Sequence, residues 1–335
     1  MSLPKKHVLG ILADNLKLRK SVLPLSRRAL TRWARGLDIP YGGETVLYTG
    51  HMYQLIPKIG AMANRMAKFE DSWIRRWMGL GRVINRGINL TRFMAHAKRK
   101  ERRAYDRVLR NIALLLREAG VEFGYLYGDE MYSGALLHDQ GIDAVLLPHA
   151  RRLQALFAEH GVRRVITVDP HTTNMLRSVF PEMLDGFDVE VRNYLEVLAD
   201  YDLPVKNPLE MGLTIHDSCV YARYEDVIDQ PRQLLARLGA RLQEPELSGK
   251  MTHCCGGPIE SLFPGKAHEI ALKRVEQLSA TGCAVAVMCP ICMVNLKGAA
   301  NGDGPGFFDI ADVLAGAVLD DPSPVRQTTD ERKER

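Results

Sequence analysis

Six cysteines occur in the 335 residues, and five of them fall into one pattern. Cys219 closes LTIHDSC, 34 residues separate it from the doublet Cys254–Cys255 in MTHCCGGPIE, and 33 more lead to Cys289 and Cys292 in VAVMCPICMVNL. Adjacent cysteines suit a disulfide poorly, because their Cβ vectors point apart. Five thiols also exceed the four ligands of a structural zinc site. A multi-iron cluster offers several metal vertices, so neighbouring cysteines can bind different irons, and thiolates are the standard ligands of such clusters. The competing readings are a zinc site or a thioredoxin-like redox pair at Cys289/Cys292. Neither uses Cys219 or the doublet. Cys283 lies outside the pattern and reads as a small buried hydrophobe.

The elements that must position these sulfurs alternate. MGLTIHDS and CAVAVMC are short apolar runs, so each ligand group follows a predicted strand. PICMVNLKGA reads as a helix with Pro290 in its first turn. PGKAHEIALKRVEQLSATG reads as an amphipathic helix, with Ile270 against Arg274 and Gln277 marking its two faces and Gly282 suiting its end. Alternating strands and helices predict an α/β layer with the ligands at the carboxyl ends of parallel strands. A helix start beside Cys289 and Cys292 favours their thiolate forms. His216, Asp217 and His253 are the nearest polar groups by sequence. No proton-transfer role is assigned to them, because such residues commonly just hydrogen-bond backbone or sulfur.

HDSC, CCGGP and CPICMVNL together resemble the cysteine-rich CCG-domain family. That family includes the B-type component of heterodisulfide reductase, its D-type relatives, and iron–sulfur subunits of some lactate, glycolate and glycerol-3-phosphate dehydrogenases. The resemblance implies a noncubane 4Fe–4S cluster on Cys219, Cys254, Cys255, Cys289 and Cys292, in a B-type component of a heterodisulfide-reductase-like complex, the sulfur-oxidation type among them. It implies as partners a flavoprotein A-like subunit, a ferredoxin-type C-like subunit, a second B-like subunit, and a lipoate or sulfur carrier protein. An electron-transfer subunit of a flavin-dependent hydroxy-acid dehydrogenase is the first alternative. A zinc-holding scaffold is the second.

An earlier copy of the motif is present without its sulfurs. VLYTGHMY resembles the family's strand followed by Gly-Cys, with His51 in the cysteine's place; YGDEMYSGALLHDQG puts Tyr132 and Ser133 where the doublet belongs; VITVDPHTTNMLR puts Asp169 and Thr172 where the CxxC belongs. The registers agree, since Ser133 and Cys255 differ by 122 and Asp169 and Cys289 by 120. No thiolate cluster forms on such a set. His51, Asp169 and His171 are ligand types for another metal, but the expected role of this half is a scaffold over the surviving cluster. In heterodisulfide reductase two clusters are thought to attack the two sulfurs of one disulfide. One motif leaves one-electron relay, or sulfur chemistry at a single cluster.

The expected architecture is α/β: two homologous CCG-type halves with short parallel sheets flanked by helices, and a helical insertion in the first. The boundaries are a basic helical arm over 1–44, the degenerate half over 45–205 with its insertion at about 58–118, the cluster-binding half over 206–318, and a disordered polar tail over 319–335. Between His51 and Tyr132 lie 80 residues where the intact motif has 34, an excess of about 46. Residues 58–118 carry 16 Lys/Arg against 5 Asp/Glu. Met62, Met66, Phe69, Trp73 and Trp77 recur there at helical steps, and a second helix is predicted from about Lys98 to Glu118 with Tyr105, Val108, Ile112 and Leu115 or Leu116 on its apolar face. This pattern reads first as a subunit interface and second as core. Peripheral membrane contact is a lesser reading, and no nucleic acid is expected. No apolar run approaches the ~20 residues of a membrane span. The opening residues lack a signal-peptide core, so a cytoplasmic location is expected. No ferredoxin-type cysteine run or dinucleotide fingerprint is present, so electrons must come from other chains.

Overall fold

The computed structural model describes residues 5–23, 25–67, 78–87, 98–260, 263–302 and 304–320. Phe69, Trp73, Trp77 and the tail from residue 321 onward lie outside the described residues. Among the described residues, seven short strands form two parallel sheets. The first has β1 (Thr45–Tyr48), β2 (Arg164–Thr167) and β3 (Glu190–Asn193) in the order β1-β2-β3. The second has β4 (Gly212–His216), β5 (Arg241–Leu242), β6 (Ala284–Val287) and β7 (Phe307–Asp309) in the order β5-β4-β6-β7. Val46 pairs Val165 and Val165 pairs Val191 across the first sheet, and Thr214 pairs Val285 in the second. β1, β2, β4 and β6 are largely apolar and buried along most of their length, as parallel strands covered by helices on both faces must be.

The two sheets repeat the same corners. Asp169 after β2 and Cys289 after β6 both cap a helix that has proline in its first turn. Asn193 and Asp309 close β3 and β7, and each caps the next helix through its side chain. Gly134 and Gly256, 122 residues apart, both take positive φ, +93° and +80°. At Gly256 a Cβ would lie 2.4 Å from the Ala267 carbonyl oxygen, so glycine is required there on space as well as on φ.

The insertion supplies the joint between the sheets. Its last helix, Arg99–Glu118, buries Val108, Leu109, Ile112, Ala113, Leu115 and Leu116, the face predicted from the 3.6 period, with Tyr105 half-buried beside them. This face packs into a core that also holds Leu195 and Leu198 of the first half and Ile215, Val313 and Leu314 of the second. Arg107 and Asn111 tie the same helix to Asp312 at 2.7 and 2.8 Å. The Tyr53 hydroxyl donates to Asp309 at 2.8 Å across the two halves. The arm helix Lys5–Arg19 buries Leu12 and Leu16 against Met52, Leu55 and Leu137, and its Asp14 is gripped by Arg82 and Arg86 of the insertion. One expectation is corrected. Ile270, Arg274 and Gln277, read as marking two faces of the Pro264–Ser279 helix, follow one another at steps of four and three and so share one inward face, on which Arg274 is fully buried. Its guanidinium is satisfied inward by the Leu247 carbonyl at 2.8 Å, Gln277 at 3.0 Å and Thr252 at 3.3 Å.

Candidate metal centre

The five patterned cysteines converge. Cys219 opens the helical stretch just past β4, Cys254 and Cys255 sit on the loop before Gly256, and Cys289 and Cys292 flank the start of the Pro290–Ala300 helix. The Cys219 and Cys254 sulfurs are 3.9 Å apart, and those of Cys255 and Cys292 are 3.1 Å apart. Hydrogen bonds between Cys254 and Cys255 and between Cys289 and Cys292 complete a continuous chain of five sulfurs. All are free thiols. Cys255, Cys289 and Cys292 are buried, whereas Cys219 and Cys254 are half-exposed and form a rim. Cys283 stands apart, half-buried against Gly212.

The backbone holds this set in place through a clamp. Asp217 is buried and receives both Arg232 guanidinium nitrogens at 2.8 and 2.9 Å and the Gly249 N–H at 2.7 Å. Thr252 donates to the Asp217 carbonyl at 3.0 Å, and Arg223 donates to the Thr252 carbonyl at 2.6 Å. The turn bearing Cys219 is thereby tied to the loop bearing the doublet. Asp217 is spent on structure. Asn295 donates to the Cys255 carbonyl at 3.3 Å, which joins the doublet to the helix of Cys292.

Crowded thiols share little charge, and the surroundings decide where it sits. A hydrogen bond from Cys219, then one from Cys255, with the Gly256 N–H at 3.3 Å, draws the Cys254 thiol down to about 2 against the cost of burial. Cys219 is pushed up, first by its hydrogen bond to Cys254 and then by burial. Burial works against a charge on Cys289, but hydrogen bonds from Cys292 and His171 overcome it and hold that thiol well below its ordinary value. Cys255 is driven up mainly by its hydrogen bond with Cys254, against the opposing one with Cys292, and Cys292 is driven up mainly by its hydrogen bonds with Cys255 and Cys289. Thiolate character is therefore available at Cys254 and at Cys289.

Two histidines approach it. His216, at the end of β4, is buried, and a ring nitrogen lies within 4.8 Å of both the Cys255 and Cys292 sulfurs. Its Nδ1 accepts from Arg274 Nε at 3.1 Å. Burial, then the Arg274 charge, lowers its pKa to about 3, so the ring is neutral. His171 comes from the other half. Its Nδ1 is 3.2 Å from Asp139, and its ring hydrogen-bonds Cys289. Burial opposes a charge on His171, yet Asp139 and the Cys289 sulfur hold its pKa well above the ordinary value. His253 is half-buried, its Nδ1 3.3 Å from the Cys254 carbonyl.

Over residues 213–297 the sequence matches the CCG family, described as a cysteine-rich domain, and the match runs from β4 past Cys292. This stretch is a CCG domain. The chain is 31% identical over 232 residues to the probable iron-sulfur-binding oxidoreductase FadF of Bacillus subtilis, covering 64% of this chain and 33% of that protein. It is 30% identical over 230 residues to the EtfAB:quinone oxidoreductase of Syntrophomonas wolfei, covering 63% and 32%. With the B-type component of the fumarate reductase (CoM/CoB) of Methanothermobacter marburgensis it shares 28% over 206 residues, covering 60% and 40%. The chain thus spans a third to two fifths of the length of these relatives. A crystal structure of a hypothetical protein from Helicobacter pylori has a TM-score of 0.50 at 11% identity, covering 64% of this chain and 46% of that one, a likeness of fold alone.

His51, Tyr132, Ser133, Asp169 and Thr172, read from the sequence as standing in place of sulfurs, are all buried. His51, Ser133, Asp169 and Thr172 each keep a buried polar atom without a partner among the described residues. Asp169 turns one oxygen onto its own helix, accepting the Thr172 N–H at 2.9 Å, and the Tyr132 hydroxyl oxygen accepts the Leu136 N–H at 2.9 Å. Among the described residues the one set of three metal-ligating atoms within 4.8 Å is His216, Cys255 and Cys292, so His51 and Asp169 gather no third ligand. Beside His51 opens a cavity of about 450 Å³, lined also by Lys20, Arg27, Glu130 and His160. Two residues around the CCG domain's sulfurs escaped the sequence reading. Arg274 was read only as a marker of its helix's faces, and His171 as a ligand type for another metal, whereas its ring hydrogen-bonds Cys289 of the sulfur set. The order Asp-Pro-His-Thr in register with Cys-Pro-Ile-Cys was the available signal.

Proposed function

We propose that this chain is the iron–sulfur subunit of an oxidoreductase complex related to heterodisulfide reductase, in which Cys219, Cys254, Cys255, Cys289 and Cys292 hold one noncubane 4Fe–4S cluster. The reading rests on one observation above the rest: five sulfurs from three separate stretches meet in a single chain. The donor set fits the group, since five soft, mutually adjacent thiols suit iron with sulfide and exceed what tetrahedral zinc takes. In this reading residues 206–318 are the cluster-binding half and residues 45–205 a degenerate copy. Such a cluster, when bound, supplies one-electron storage.

The protein's own groups then do the rest. Cys255, Cys289 and Cys292 seal one side from water, while Cys219 and Cys254 leave a rim at the surface. Tyr224 and Met251 stand exposed on the two short turns that Arg223 ties together beside this rim. An electron partner would approach there. The names of the relatives, an iron-sulfur-binding oxidoreductase, a quinone oxidoreductase and a fumarate reductase subunit, support electron transfer as the role.

Anaerobically purified, iron-replete protein is expected to hold about four irons and four labile sulfides. Cys255→Ser should lose most of that iron, and Ser133→Ala, at the matching position of the first half, should keep it. Stoichiometric zinc without labile sulfide would sink the reading. Equal iron loss in the two variants would mean that the first half supplies ligands.

A further inference from the structure

His216 is a ligand type that brings a ring nitrogen within 4.8 Å of the Cys255 and Cys292 sulfurs, yet its other partner argues against ligation. Arg274 Nε reaches His216 Nδ1 at 3.1 Å. A guanidinium has donors and no acceptor, so Nδ1 must be the accepting nitrogen, and the ring hydrogen sits on Nε2. Arg274 cannot swing away at low cost, because it is fully buried and spends its remaining nitrogens on Leu247, Gln277 and Thr252. His216 is fixed from the backbone side too, as the last residue of β4, in register with Val287 of the central strand β6. Its Nε2 is buried and has no partner among the described residues. A buried N–H left without an acceptor costs about 1–3 kcal/mol. The nearest sulfurs are those of Cys255 and Cys292, each within 4.8 Å of one of the two ring nitrogens, and they are the candidate acceptors.

We propose that Arg274 locks His216 as a hydrogen-bond donor to the sulfur set, so that His216 is a positioning residue that raises the cluster's reduction potential and is not itself a ligand. The proposal rests on the iron–sulfur reading above. Coordination through Nε2 would require its proton to leave while Nδ1 is already accepting, which makes an imidazolate. Coordination through Nδ1 would expel Arg274 into a buried space without that partner. Donation to sulfur avoids both. Hydrogen bonds to ligand sulfurs stabilise the more negative, reduced state, which is how such donors move a potential upward.

The test uses the full chain purified anaerobically, with His216→Leu, His216→Gln and Arg274→Met beside it. Iron and sulfide are counted first. Zinc without sulfide in the unsubstituted protein overturns the iron–sulfur reading, and this proposal with it. With the cluster present, His216→Leu should keep its iron and show a lowered potential in a redox titration. His216→Gln keeps both an acceptor for Arg274 and an amide N–H for sulfur, so its potential should lie nearer the original. Arg274→Met, which frees the tautomer, should shift the potential in the same direction as His216→Leu. Pulsed EPR of the unsubstituted protein in its paramagnetic state needs no variant to fold. It should show a proton coupling that exchanges in D2O and no directly coordinated nitrogen. A strongly coupled nitrogen, or an unchanged potential in His216→Leu at full iron, overturns the donor role while leaving the cluster in place.

Discussion

Glu130 is a buried carboxyl whose charge has little support. Its Oε1 accepts the Thr49 N–H and hydroxyl, each at 2.7 Å, while Oε2 is buried without a partner among the described residues. Burial pushes the carboxyl from 4.5 up to about 7, and the hydrogen bonds from Thr49 and Tyr125 only partly oppose it. The native value lies above the unfolded one, so the native state binds more protons between those two pH values. Stability associated with Glu130 is therefore present below about pH 4.5 and falls as the pH rises through about 7. At roughly 1.4 kcal/mol per pKa unit, the loss is about 3 kcal/mol once the group is ionised in both states. Glu130→Gln keeps the Oε1 acceptor and cannot ionise. Denaturant unfolding from about pH 5 to 8.5 should show its stability gaining on that of the unsubstituted protein across this window, by about 3 kcal/mol in total. A gap that does not change with pH would mean that the carboxyl is solvated or paired and titrates normally.

The helix starts carry the comparison to the level of elements. Asp169 and Cys289 occupy the same corner, but Asp169 caps its helix through Thr172 whereas Cys289 makes no side-chain cap and turns its sulfur to the other cysteines. Replacing Asp169 by Ala removes a cap and should cost about 1 kcal/mol of stability with iron content unchanged; Asp169→Asn should recover most of it. Loss of iron in both variants would show that this corner does more than hold its helix. The strands β4 and β6 and the helices Arg99–Glu118 and Pro290–Ala300 were legible in the sequence. Their signals are local: an apolar run, a 3.6-residue period, a proline in a first turn. Arg274 was not legible, because a charged residue on a helix reads as solvent-facing unless its inward acceptors, here Leu247 and Thr252, are known. His171 was missed for a related reason, since its partner Cys289 is 118 residues away and in the other half. The π-helical turns Met175–Val179 and Tyr221–Glu225 follow the Asp169 and Cys219 corners. A single extra residue per turn leaves no mark on sequence periodicity. The five sulfurs were legible as a set because no simpler ligand scheme uses all of them.

At the scale of the molecule, the charge is unevenly spent. Arg82 and Arg86 go to Asp14, Arg32 to Asp106 and Arg107 to Asp312, so part of the basic block is internal bracing. Arg99, Arg102 and Arg103 form no salt bridge among the described residues. With Arg32, Arg107 and Arg110 they line a cleft of about 350 Å³. Trp73 and Trp77 precede this cleft in the same insertion, and Trp and Arg are the residues that most often anchor interfaces. In the proposed electron-transfer role, a partner must meet this chain for electrons to arrive and leave. We therefore expect the insertion, residues 58–103, to dock an acidic subunit, with the arginine cleft steering its approach. Arg99→Glu with Arg103→Glu should slow association, most clearly at low ionic strength, where the Debye length exceeds about 10 Å. Trp73→Ala with Trp77→Ala should weaken the assembled complex at any salt concentration while leaving the cluster's spectrum unchanged. Co-purification of the full complex with both double variants at unchanged yield and salt dependence would refute the interface. If the tryptophan variant also melted at a lower temperature, those two side chains would belong to the chain's own core.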